Sequence, residues 1–442
     1  MFRWLACGWV LCLLVSSCAS LRPAHRWVRQ VERSAVFSRG ITGFVLLDAH
    51  TGRCLAQVRG DRYFTPASNT KILTLAASLQ LLPDTLPALQ VRPFATPPEE
   101  GQRWLVRGMG SPVFLHPQFQ SWQSASDSLR QYPGALWLCP RPERLRRFGP
   151  GWAWDDYLED FQPERSALPV YGHVIHVHQP APGVLDVWPP WFRDSCRIDT
   201  AVVRPERPEQ GNQWKLPPGP NGGQQTYWLP FVPHPLPPLL ADTLGKAVDW
   251  LPDSLLAHVP SDGWQTLWGP PLDTVLRRMM HQSDNFIAEQ LLLLCGQKRF
   301  GTLRTDTLIR WLLDSVWTDI PQRPRWVDGS GLSRYNLISP QAMAHLLLHL
   351  WRQQPRQRLF DLFPAGGRDG TIARWYAPAP GEAPWLFAKT GTLSGVHCLS
   401  GYLVARSGRV LIFSFMHTNF TGSNTPWKAE MERLLRHIRE RH

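Results

Sequence analysis

Pro66-Ala67-Ser68-Asn69-Thr70-Lys71-Ile72-Leu73-Thr74-Leu75 is the stretch on which the reading of the whole chain turns. Pro66 and Ala67 lead into Ser68, after which Ile72, Leu73, Leu75, Ala76, Leu79 and Leu82 recur at the spacing of an amphipathic helix. Ser68 and Lys71 stand three apart at the start of that helix, so their side chains share a face. A hydroxyl is a weak nucleophile until a base takes its proton. Lysine serves as that base once burial or a neighbouring cation lowers its pKa. Backbone N–H groups at a helix N-terminus favour an oxyanion at the same place. Just upstream, 43–47 and 54–58 read as short strands around a turn at 48–52, a hairpin that precedes the helix.

Two further motifs lie far downstream. Ser283-Asp284-Asn285 stands before the apolar run 286–294, where Ser, Asp and Asn are also ordinary helix N-cap residues. Lys389-Thr390-Gly391-Thr392 follows a strand read over 385–388. A strand edge can pair with an extended peptide. Lys389 and Thr390 would then bind a carboxylate, and Gly391 would let a ligand backbone come close. Each motif alone has a structural explanation. Together, in the order Ser-x-x-Lys, Ser-Asp-Asn, Lys-Thr-Gly, they form the set used by penicillin-binding proteins and serine β-lactamases.

The chain of 442 residues is 43% hydrophobic, enough for a core and at least one additional lobe. Helical patterns at 272–280, 285–294, 303–317, 341–352 and 426–439 and strand patterns at 384–389, 397–404 and 410–417 join the first helix in one α/β unit. The segment between is Pro- and Trp-rich, with short strand candidates at 174–178 and 183–188 and loops such as 217–223. Its aromatic and aliphatic content is too high for an unfolded segment. The expected organisation is a discontinuous catalytic domain, 27–92 and 265–442, with a β-rich inserted lobe over 93–264.

The formal charge of +12 comes without any run of five or six basic residues, which argues against a nucleic-acid partner. Only six of the 47 basic residues are lysines, and Lys71 and Lys389 are two of them. Lysine, unlike arginine, can be brought to a neutral amine. Arg3, an apolar stretch over 4–15 and Ser16-Ser17-Cys18 read as an export signal too short to span a bilayer. The small residues before Cys18 resemble a bacterial lipobox, in which that cysteine is acylated; plain signal cleavage nearby is the alternative. The later cysteines, Cys54, Cys139, Cys196, Cys295 and Cys398, form no metal motif. A Cys139–Cys196 disulfide is the expected pairing if one forms, and Cys295, in a leucine run, reads as a buried thiol.

With these residues in view, the chain resembles the low-molecular-mass class C penicillin-binding proteins, the D-alanyl-D-alanine carboxypeptidase/endopeptidase family, most strongly over 41–82 and 271–417. Asp328-Gly329-Ser330-Gly331-Leu332-Ser333, Gly366-Gly367-Arg368-Asp369-Gly370-Thr371 and Ala388 to Gly395 also look like that family. So does the gap of 211 residues between Lys71 and Ser283, where the family carries inserted domains and most serine β-lactamases do not. Ser111, in Gly108-Met109-Gly110-Ser111-Pro112, replaces an acid of the family pattern, and 180–235 shows no alignable pattern.

The resemblance implies an α/β fold of the β-lactamase/transpeptidase type, with helices around a central antiparallel sheet and a β-rich inserted lobe. It implies that Ser68 attacks the carbonyl between two terminal D-alanines while Lys71 takes its proton. Backbone N–H groups of Ser68 and Thr392 would form the oxyanion hole, and Ser283 would relay a proton to the leaving amine. Asn285 would hold the substrate amide, and Lys389 and Thr390 the terminal carboxylate, with Gly391 beside them. No metal or organic cofactor is needed. Peptidoglycan peptides would be the substrates, β-lactams covalent inhibitors, and the periplasm the location, with Cys18 as membrane anchor. A β-lactamase or esterase on the same fold is the nearest competing enzyme, opposed by the long insert and the lack of a clear Glu to activate a deacylating water. A non-catalytic wall-binding lipoprotein is the reading from another class, opposed by the completeness of the motifs.

Overall fold

The structure, a computed structural model, describes residues 26–95, 101–141, 143, 145–220 and 223–442. Its centre is a five-stranded antiparallel sheet built from both ends of the sequence. The strands are β1 (Ile41–Asp48), β2 (Cys54–Val58), β3 (Leu386–Leu393), β4 (Val396–Val404) and β5 (Val410–Thr418), in the spatial order β3-β4-β5-β1-β2. The hairpin read at 43–58 is the β1–β2 pair, β1 starting two residues earlier at Ile41, with a bulge between Leu46 and Leu47. β1 also pairs along its whole length with β5, from Ile41 opposite Thr418 to Asp48 opposite Leu411.

β1, β4 and β5 are buried almost throughout because both faces of the sheet are covered. Successive side chains of a strand point to opposite faces. Phe44 and Leu46 accordingly pack with Phe413 and Phe415 against Trp427, Met431, Leu434 and Leu435 of the C-terminal helix Thr425–Arg441. Val45 and Leu47 face the other core, which holds the helices α1 (Lys71–Leu81), α2 (Asn285–Phe300) and α3 (Pro340–Gln353). α2 begins where the sequence says it should: Asp284 is its N-cap, and its carboxylate accepts the Ile287 N–H at 3.0 Å. α3 is capped by Ser339, which accepts from Ala342 N–H.

The long segment between α1 and α2 contributes a mixed five-stranded sheet, in the order 248–250, 135–139, 103–107, 85–94, 265–271. Thr85–Phe94 and Gln265–Pro271, where this segment leaves and rejoins the rest, are antiparallel partners. A three-stranded antiparallel sheet (225–230, 174–181, 184–188) and a small parallel pair (196–198, 214–216) complete it. Leu86, Val106, Val170 and Ile175 of this segment lie in the same hydrophobic core as α1 and α2, so the two parts are packed without a break.

One expectation is overturned. Cys139 and Cys196 form no disulfide: both are buried free thiols, Cys139 ending one strand of the mixed sheet and Cys196 opening the parallel pair. Burial pushes Cys139 up to about 11 and Cys196 up to about 12, so neither is a ready thiolate. Cys295 is buried in α2, and its thiol lies 3.9 Å from Ser78 Oγ.

Candidate active site

Ser68 lies in a single 3₁₀ turn, Ala67–Thr70, that feeds directly into α1. Ala67 sits at φ +47°, a conformation an alanine adopts only when its surroundings hold it there. Three contacts do so. Thr70 Oγ1 donates to the Ala67 carbonyl at 2.9 Å, and Asn69 Nδ2 donates to the Lys389 carbonyl of β3 at 2.9 Å. Gly391 of β3 comes so near that a Cβ there would stand 2.4 Å from the Pro66 carbonyl oxygen and 3.0 Å from Ser68 N. The glycine is therefore needed for the strand to lie against the backbone of Ser68. β3 runs through 389–392 rather than ending before them, with Lys389 opposite Ser400 and Thr392 opposite His397.

Lys71 follows the turn and is fully buried. Its amine donates to Ser68 Oγ at 3.0 Å, to Asn285 Oδ1 at 2.5 Å and to the Ser330 carbonyl at 2.7 Å. Burial brings this amine down from 10.5 to about 8, against the upward pull of Asp328, Asp284 and Glu289. A substantial neutral fraction at physiological pH is what a general base beside a serine requires.

The second lysine is matched to the second serine. Lys389, also fully buried, donates to Ser283 Oγ at 2.9 Å and to the Thr390 carbonyl at 2.9 Å. Burial, and then the charge of Lys71, hold its amine well below the ordinary lysine value. Ser283 sits at φ +58°, turned out of helical geometry one residue before the cap of α2. Asn285 turns its oxygen to Lys71 and donates its Nδ2 to the Phe161 carbonyl at 2.8 Å. Thr390 Oγ1 meets Thr371 Oγ1 at 2.7 Å, and Thr392 Oγ1 meets His397 Nδ1 at 2.9 Å. Beside Ser283 and Asn285 opens a cavity of about 400 Å³ that also touches Asp160, Phe161, Trp228 and Arg278.

Ser68, Lys71, Ser283, Asn285, Lys389, Thr390, Gly391 and Thr392 thus come together from three distant stretches of chain. The sequence of the chain matches the D-Ala-D-Ala carboxypeptidase 3 (S13) family over residues 31–184 and 246–437. The chain belongs to the S13 family.

Relatives of this S13 protein include the D-alanyl-D-alanine carboxypeptidase DacB of Haemophilus influenzae, 24% identical over 419 residues and covering 86% of each chain. A D-alanyl-D-alanine carboxypeptidase of Actinomadura sp. is 26% identical over 453 residues, 92% of this chain and 83% of its own. The crystal structure of penicillin-binding protein 4 (dacB) from Haemophilus influenzae superposes with a TM-score of 0.73 at 18% identity, over 94% of this chain and 99% of that one. The fold of this chain, helices packed on a central antiparallel sheet, is therefore that of the Haemophilus influenzae structure.

Cys18 lies outside the described residues. Two buried acids near the S13 site are given no part in it by the motifs, although Asp328 opens one of the stretches that resemble the family. Glu289, one turn along α2 from Asn285, accepts both the backbone N–H (2.8 Å) and the hydroxyl (2.6 Å) of Ser330. Asp328 accepts from Gly331 N, Ser333 N and Asn336 Nδ2 at 2.9, 2.8 and 2.7 Å. The signals were present: an acid inside the apolar run 286–294, and an Asp opening the Gly- and Ser-rich stretch 328–333.

Proposed function

We propose that this protein is a serine-type D-Ala-D-Ala carboxypeptidase/endopeptidase acting on peptidoglycan stem peptides through an acyl-enzyme on Ser68. The observation that carries the reading is the 3.0 Å hydrogen bond from a buried, pKa-lowered Lys71 amine to Ser68 Oγ. As a neutral amine, Lys71 takes the hydroxyl proton while Ser68 Oγ bonds to the carbonyl carbon between the terminal D-alanines. The oxyanion is received by the N–H groups of Ser68 and Thr392, a reading supported by the close approach of Gly391, the residue before Thr392, to the Ser68 backbone. Ser283, held by Lys389, passes a proton to the leaving amine. The terminal carboxylate binds at Lys389 and Thr390, and Asn285 holds the substrate amide. Water then hydrolyses the ester. β-Lactams would acylate the same serine.

Incubating the protein with a pentapeptide ending in D-Ala-D-Ala is expected to release D-alanine, and Ser68→Ala to release none. Digested peptidoglycan resolved by mass would show which bonds are cut. Absence of D-alanine release by the unaltered protein, together with rapid turnover of a penicillin, would replace this reading by that of a β-lactamase.

The catalytic domain in this reading is 27–92 with 265–442, and 93–264 is the inserted lobe. The protein is exported to the periplasm as a lipoprotein, its Cys18 acylated after removal of 1–17, and the short stretch to residue 26 is its tether. Among the described residues no helix is long and apolar enough to cross a membrane. Cys18→Ser is expected to abolish incorporation of radiolabelled palmitate and to move the protein from the membrane to the soluble fraction. Continued labelling would place the anchor elsewhere.

A further inference from the structure

The loop 328–333 delivers one atom to the site, the Ser330 carbonyl that accepts from Lys71. Two buried carboxylates shape it. Asp328 gathers the N–H groups of Gly331 and Ser333, while Glu289 holds Ser330 by its N–H and its hydroxyl. Neither carboxylate is satisfied by the catalytic part of the chain alone. Asp328 Oδ2 also accepts from Trp152 Nε1 at 2.9 Å. Among the described residues Glu289 Oε2 has no hydrogen-bond partner, and the cation beside it is the buried guanidinium of Arg165, 3.7 Å away.

Trp152 and Arg165 both belong to the segment inserted between α1 and α2, and that segment is itself braced. Arg165 donates to the carbonyls of Arg146 (3.3 Å) and Phe148 (2.9 Å), and its guanidinium lies 5.8 Å from the Trp152 ring. Next to it, Ser166 N donates to Gln290 Oε1 at 3.1 Å while Gln290 Nε2 donates back to the Ser166 carbonyl at 2.8 Å. The insert thus meets α2 at Asn285, Glu289 and Gln290, the face that carries the site.

We propose that Trp152 and Arg165 are positioning residues for Lys71: by holding Asp328 and Glu289 they fix the loop whose Ser330 carbonyl seats the lysine amine. The inserted lobe is then part of the catalytic apparatus and not only a surface beside it. This rests on Lys71 being the base. The charged groups that bear on the amine are Asp328, Asp284 and Glu289, while the neighbouring Lys389 is itself held down by the charge of Lys71. Burial, with Asp328 adding to it, pushes the Glu289 carboxyl up to about 7 while Arg165 pulls it down.

The test is acylation by a fluorescent penicillin across pH. Trp152→Phe keeps the ring and removes one donor, and it is expected to slow the acylation step about 10- to 100-fold with the preceding binding constant unchanged, the usual scale for losing a group that orients a catalytic residue. In Glu289→Gln the upward pull on Lys71 is lost, so its pKa falls and the acid limb of the rate profile moves to lower pH. Arg165→Met moves that limb the same way, because Glu289 without its cation takes a proton more readily, and it also lowers the rate. An unmoved limb in Arg165→Met and Glu289→Gln, or a normal acylation step in Trp152→Phe, overturns the proposal. Lys71→Ala, run alongside, separates the two readings: if it reacts normally the base assignment itself fails, and if it is inactive while the others match the unaltered protein, only the lobe's role is refuted.

Discussion

Lys71→Ala is expected to cut the rate of acylation by a fluorescent penicillin about 10⁴-fold, the upper end of what a positioned base contributes. The upper end is expected because the amine does more than accept a proton. It also bonds Ser68 Oγ, Asn285 Oδ1 and the Ser330 carbonyl, so its removal frees the nucleophile and leaves buried acceptors unpaired. The pH profile of the unaltered protein gives a second reading of the same group. The reactive form is the neutral amine, and its pKa in the fold is about 8, so the rate should rise with pH and level off above that point. Labelling of Lys71→Ala at the normal rate would show that another group accepts the proton.

A second large effect is expected at Gly331, far from any reacting atom in sequence but pressed against the nucleophile's turn. Its φ is +86°, and a Cβ there would stand 1.9 Å from the Ala67 carbonyl oxygen and 2.9 Å from Thr70 Oγ1. Gly331→Ala should cost about 1–2 kcal/mol for an L-residue in that conformation and about 1–3 kcal/mol for the overlap, roughly 2–5 kcal/mol in all. The displaced backbone is that of Ala67, so Ser68 moves with it. Acylation should fall about 10²-fold, as it does when a reacting group shifts by an ångström. Gly408→Ala is the matched comparison: φ is +83° and no atom lies within 4 Å of the added Cβ. It should lose only the conformational part, about 1–2 kcal/mol, and leave acylation unchanged. Equal urea midpoints and equal labelling rates for the two variants would show that the contact between Gly331 and Ala67 is not tight.

The residues that converge at the candidate site were legible in the sequence because the chemistry proposed for them demands fixed residue types at fixed spacings. Ser68 and Lys71 must share a helix face, and Ser283 and Asn285 must flank a capping Asp, so both pairs leave a local trace. The strand around Lys389 was visible only in part. Its continuation through Leu393 depends on pairing with Val396–Val404 and on the space Gly391 leaves for Pro66, and neither is a local property. The supporting acids were harder still. Glu289 in a leucine-rich helix has no meaning until Arg165 and Ser330 are placed against it, and both come from elsewhere in the chain. The disulfide expectation failed for a related reason: compartment and spacing say that cysteines could pair, but only the sheets to which Cys139 and Cys196 belong say whether they meet.

β1 lies between β2, its neighbour in sequence, and β5, near the far end of the chain, while Asn69 bonds to a carbonyl 320 residues later. Until the last strands arrive, Ser68 has neither Gly391 against its backbone nor Lys389 nearby. A nascent polypeptide therefore has no assembled site until the C-terminal strands have taken their places in the sheet.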